Sequence, residues 1–94
     1  MVKIIWSHRA TNDLEEIGDF ISRDSIKYAK NVIRRIFQNV KLLKENQYLG
    51  RKVPERNQEN IREMIMGNYR IVYHIQDKNI EILTIHHSAK LFKI

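Results

Sequence analysis

The chain has 94 residues, 43% hydrophobic and 30% charged, which fits one compact globular domain over residues 1–94 and excludes a disordered or two-domain chain. It contains no cysteine, so a disulfide framework and a thiolate metal site are both excluded. Seventeen Lys and Arg against eleven Asp and Glu give a net charge of +6 and a pI near 9.8, a balance that suits an acidic or nucleic-acid partner and is equally an ordinary solubility charge for a small domain.

VKIIW, residues 2–6, reads as a short strand, and Ser7 follows it as an N-cap. Ala10, Leu14, Ile17, Phe20 and Ile21 then recur at helical spacing and predict a helix over about residues 8–23. Asp24 and Ser25 break that pattern, and either suits the cap of a second helix. Its apolar stripe, Ala29, Val32, Ile33, Ile36, Phe37, Val40 and Leu43, runs to about residue 45. So short a break predicts an antiparallel helical hairpin.

QYLGRKVPERNQEN, residues 47–60, holds Gly50 and the only proline, Pro54, and reads as a loop. Three strands follow: IREMIM (61–66), YRIVYHI (69–75) and IEILTIH (80–86), linked by Gly67-Asn68 and Asp77-Lys78-Asn79. The order β-α-α-β-β-β predicts an α+β fold: a small, antiparallel-rich sheet, extended by the first strand, with one face packed on the helical hairpin. The other face need not be covered. In YRIVYHI, Tyr69, Ile71, Tyr73 and Ile75 should face the hairpin, which leaves Arg70 on the open face, free to meet a phosphate or an acidic group.

Charge divides between the two helices. Residues 7–25 carry two basic and five acidic side chains, a net −3, whereas residues 26–46 carry six basic and one acidic, a net +5. Lys27, Lys30, Arg34 and Lys41 share one stripe, either a solvated face or a docking surface for phosphates or acidic side chains. The N-terminal apolar run is too short for a signal peptide, and no stretch approaches a membrane span of ~20 apolar residues. A cytoplasmic protein with no membrane partner is expected.

Taken in order, these pieces resemble the RelE/ParE family of toxins from type II toxin–antitoxin systems. The resemblance rests on the tryptophan-ended first strand, A-x-x-D-L-E-E-I (Ala10 to Ile17), G-R-x-V-P-E (Gly50 to Glu55), I-R-E (Ile61 to Glu63), Y-R-I-V-Y (Tyr69 to Tyr73) and I-x-I-L-x-I-H-H (Ile80 to His87). It implies a small twisted sheet with a helical hairpin and a protein that arrests growth when free. It also implies a cognate antitoxin that wraps over the toxin, in a hetero-oligomer.

The family has two main branches, and they poison different targets. RelE-like members cut messenger RNA in the ribosomal A site; ParE-like members poison DNA gyrase and have no established hydrolytic site. Metal-independent RNA cleavage needs a base, a cation on the phosphate and an acid for the leaving oxygen. The resemblance offers Glu55 as base, Arg70 as the phosphate-bracing cation and His87 as acid, with Arg51, Arg62, Tyr73 and Lys90 as further phosphate contacts. It calls for no cofactor. The histidines are dispersed without a recognisable ligand spacing, so no metal site is expected.

Each candidate also has a structural alternative. Glu55 suits a solvated loop carboxylate, one of His86 and His87 suits a structural role, and Arg62 suits a surface pair with Glu59. The G-R-x-V-P-E, I-R-E and D-L-E-E-I segments look more like the ParE branch. After the last strand only Lys90 and Lys93 stand where many RelE-like nucleases carry more basic residues and a tyrosine. The overall pattern therefore leans toward a gyrase inhibitor, with a ribosome-dependent mRNA endonuclease as the alternative.

Overall fold

The computed structural model describes residues 2–55 and 58–87. Its elements are β1 (Lys3–Trp6), α1 (His8–Ser22), α2 (Ile26–Leu42), β2 (Arg51–Lys52), β3 (Ile61–Met66), β4 (Tyr69–Ile75) and β5 (Asn79–His87). Both helices start where serine side chains can cap them: Ser7 Oγ accepts from Ala10 N–H and Ser25 Oγ from Tyr28 N–H, each at 3.0 Å. The strands form one sheet in the order β1-β5-β4-β3-β2. β1 runs parallel to β5, and every other pairing is antiparallel. The two-residue β3–β4 turn puts Gly67 at φ 58°, a left-handed conformation that glycine adopts without strain.

The helical hairpin covers one face of this sheet. Ala29, Val32, Ile36 and Val40 of α2 meet Met64, Met66, Ile71, Tyr73, Ile75, Ile80, Ile82 and Ile85 in the main core. Each fully buried isoleucine there contributes roughly 1.5–3 kcal/mol relative to an exposed one. Of the stripe read from the sequence, Ala29, Val32, Ile36, Val40 and Leu43 are buried, Ile33 is partly buried, and Phe37 stays half-exposed beside Trp6. The α-helical hydrogen bonds end at Leu42 rather than near residue 45, because the chain tightens there into i→i−3 bonds, Leu43 N–H to Val40 O and Lys44 N–H to Lys41 O, with Leu43 buried at the C-cap.

Two features go beyond the sequence reading. Arg51 and Lys52, expected in a loop, form a two-residue edge strand against Glu63 and Arg62. The chain after it lays Val53 on the sheet's second face, where Val53, Ile61, Val72 and Leu83 make a small core of their own. The second face is thus partly covered.

The second feature is a β-bulge. Val72 pairs with Thr84 but Tyr73 pairs with Ile82, so Leu83 is the extra residue. At that point β1 has ended, and α1 takes over the edge of β5. Ser7 Oγ donates to Leu83 O at 2.8 Å; Asp13 Oδ2 accepts from Thr84 Oγ1 at 2.7 Å and from Ile85 N–H at 2.9 Å. Asp13, the aspartate of the A-x-x-D segment, therefore satisfies strand groups that β1 is too short to reach.

Candidate functional site

On the open face, β4 presents Arg70 and β3 presents Glu63. Val72 lies opposite Glu63 and Ile65 opposite Arg70, so Glu63 and Arg70 are diagonal neighbours, within reach of a long side chain. Glu63 has no exposed side-chain surface, and a buried carboxylate requires partners. It has two. Arg51 Nε donates to Oε2 at 2.7 Å, while Arg70 Nε donates to Oε1 at 2.5 Å, with Nη2 equally close in the ion pair. Glu55, exposed in the loop, then accepts from Arg70 Nη2 at 3.2 Å.

Arg70 does face away from the hairpin, as expected, but it is not free: two carboxylates hold it. Burial alone disfavours its charge, yet the hydrogen bonds it donates to Glu63 and Glu55 more than offset that and raise its pKa. The Glu55 carboxyl is held below its usual 4.5, first by a hydrogen bond from its own backbone N–H and then by Arg70. A carboxylate made more acidic in this way is a weaker proton acceptor.

His87 lies on the other side of the sheet. It packs edge-on against Tyr69, with ring centroids 4.8 Å apart, and lines a groove of 310 Å³ with Phe20, Tyr28 and Met66. The cross-strand partner of Arg70 is instead His86. The bulge causes this. Strict alternation from Ile80 would put His87 on the open face; the extra residue at Leu83 moves it to the hairpin side and sends His86 to the Arg70 side. Glu55 and Arg70 are thus brought together, and His87 is not.

The remaining candidates also have defined places. Tyr73 is fully enclosed, and its hydroxyl donates to Gln47 O at 2.8 Å and accepts from Gly50 N–H at 2.9 Å. Burial pushes the phenol pKa up. This tyrosine anchors the loop, with no hydroxyl left over for a phosphate. Arg62 donates to Glu59 Oε1 at 2.7 Å and to Gly50 O at 3.0 Å, and stacks 4.7 Å over the Tyr48 ring. It too is a structural tie. Arg51 remains largely exposed. Lys27, Lys30, Arg34 and Lys41 are all exposed on α2 and form no ion pair among the described residues. Lys90 lies outside the described residues.

Glu63 and Gly50 had no assigned role in the sequence reading. The signal for Glu63 was present: Ile61, Glu63 and Ile65 share one face of a strand, so the carboxylate sits between isoleucines and needs a cation from a neighbouring strand.

A second carboxylate, Glu59, bridges Lys52 at 3.1 Å and Arg62, and its pKa is lowered mainly by Lys52. Groups depressed in the folded state contribute stability that is present above the unfolded value of 4.5 and lost as pH falls through the folded value. The urea midpoint should therefore hold from neutrality to near 4.5 and then decline. In the Glu55→Gln/Glu59→Gln double variant that acid limb should be shallower. Identical slopes in the two proteins would show that neither carboxylate is tied to the fold.

A family model described as the ParE toxin of type II toxin–antitoxin systems (parDE) matches residues 4–92. The chain belongs to the ParE toxin family. A protein named "Putative toxin Y4kP", from Sinorhizobium fredii, is 36% identical over 88 residues, covering 92% of this chain and 88% of its own. Among solved structures, the chromosomal ParDE system from P. aeruginosa superposes with a TM-score of 0.77 at 22% identity, over 93% of this chain and 96% of that one. The RelBE2 toxin–antitoxin complex from Mycobacterium tuberculosis superposes at 0.61 and 20%, over 92% and 96%. The E. coli DinJ–YafQ complex gives 0.68 and 15%, over 99% and 100%. At these identities the structural matches establish the shared fold, and the ParE family model establishes the family. The α+β fold expected from element order is the one observed.

Proposed function

We propose that this ParE-family toxin arrests growth by binding DNA gyrase in the cytoplasm, without chemistry of its own, and that a cognate antitoxin holds it silent. One observation carries the reading: the three groups that RNA cleavage would need are not assembled. Arg70 is neutralised between Glu63 and Glu55, and His87 lies across the sheet from both. The exposed cations of α2 offer a docking surface for an acidic protein face. The groove beside His87, with Phe20 and Tyr28 more than half exposed, suits an apolar segment of the antitoxin.

The alternative is a ribosome-dependent mRNA endonuclease using Glu55, Arg70 and His87. It draws support from the 3.2 Å approach of Glu55 to Arg70. The two readings part in one experiment. The purified toxin should block supercoiling by gyrase and leave a reporter mRNA uncut on ribosomes, as read by primer extension. Glu55→Ala and His87→Ala should arrest growth as well as the parent chain does. Codon-phased cuts that vanish in His87→Ala, with supercoiling intact, would overturn the gyrase reading.

A further inference from the structure

Arg51, Glu63 and Arg70 form an ionic row across β2, β3 and β4. Two guanidiniums on one carboxylate leave this row a charge of +1. Glu63 is wholly enclosed, so it cannot swing into water, and each of its oxygens fixes one arginine. The side chain of Arg51 is 66% exposed, and its Nη groups take no partner among the described residues.

Among the described residues the row's surplus charge is met only by Glu55. That contact is weak by its geometry: Arg70 Nη2 lies 3.2 and 3.4 Å from the two oxygens, long for a charged pair, and Glu55 is 64% exposed. A carboxylate delivered from outside meets the same donors. On the β3 side the cross-strand partner of Arg70 is Ile65, which shares the open face and is 55% exposed. A large aliphatic side chain standing in water beside an oriented cation matches a segment with acidic and apolar residues together. A nucleic-acid backbone brings the anion without an aliphatic partner for Ile65.

We infer that the Arg51–Glu63–Arg70 row is a recognition site for the carboxylate of an acidic, apolar-flanked peptide segment of a protein partner, and that Glu55 is its built-in competitor. Glu63 is the positioning residue: it holds both guanidiniums ready, so little ordering remains when the partner arrives. Glu55 keeps the row neutral until then.

The test uses the full-length protein labelled with nitrogen-15, in which the Nε–Hε signals of Arg51 and Arg70 are followed by NMR. The probes are a capped peptide of alternating glutamate and isoleucine and, in parallel, hexauridylate. The peptide should shift both signals. Glu55→Gln should bind it about twofold to fivefold more tightly, the worth of one exposed ion pair. Arg51→Gln, at a largely exposed position, should stay folded and bind more weakly. Glu63→Gln should speed exchange of both Nε–Hε protons with water and weaken binding, while the amide signals of α1 and α2 hold. The inference is overturned if Glu55→Gln gains no affinity, if neither probe moves the two signals, or if hexauridylate moves them at lower concentration than the peptide.

Discussion

Glu63→Ala should destabilise the protein by about 3 kcal/mol, the low end of what breaking a buried ion pair costs. The side chain has no exposed surface and holds two guanidiniums. Its removal leaves Arg70, whose side chain is only 21% exposed, with only the solvated Glu55 as a partner among the described residues. Arg51 can escape to water, which keeps the loss at the low end. For a domain of 94 residues, about 3 kcal/mol corresponds to a fall in melting temperature of roughly 12–24 °C. The control is Glu63→Leu combined with Arg70→Met, which replaces the pair by apolar groups of similar volume. It should recover most of the stability, because the penalty lies in the unpaired charge rather than in lost attraction. Thermal and urea unfolding of the three proteins decide the matter. A single-variant loss below about 1 kcal/mol would mean that Glu63 is not a buried anchor.

The same pair shows why some of this protein was legible in its sequence and some was not. The stripe Ala29, Val32, Ile36, Val40 has a period near 3.6 and one burial solution, so sequence and structure agree. Likewise Gly67-Asn68, set between two alternating runs, could hardly be anything but a hairpin turn. β2 was not legible. It is two residues long, both charged and exposed, and it exists because contacts from β3 and β4 hold the preceding loop in place. The faces of His86 and His87 were not legible either, for a different reason. Alternation predicts faces only while the register is unbroken, and nothing in IEILTIHH marks Leu83 as the extra residue. The bulge becomes understandable only with α1 in place, where Asp13 collects the Thr84 hydroxyl and the Ile85 N–H. A tertiary contact therefore decides which histidine accompanies Arg70.

The loop that carries Arg51 and Glu55 to that face depends in turn on Gly50. A methyl group there would lie 2.5 Å from the Glu63 carbonyl oxygen and 2.8 Å from the Tyr73 hydroxyl. The first is backbone inside the sheet and cannot swing aside. Gly50→Ala must therefore push β2 off β3, straining the Arg51–Glu63 pair and the bond from Gly50 N–H to Tyr73. The expected loss is about 3 kcal/mol, at the upper end for overpacking a tight site. Tyr73→Phe should cost about 1–2 kcal/mol, since it leaves the Gly50 N–H and the Gln47 carbonyl without their partner. Both substitutions break the same junction, so the double variant should lose clearly less than the sum of the two. Urea denaturation of the four proteins measures that coupling directly. Strict additivity would show that Gly50 and Tyr73 act separately, and that some other contact holds the loop across the open face.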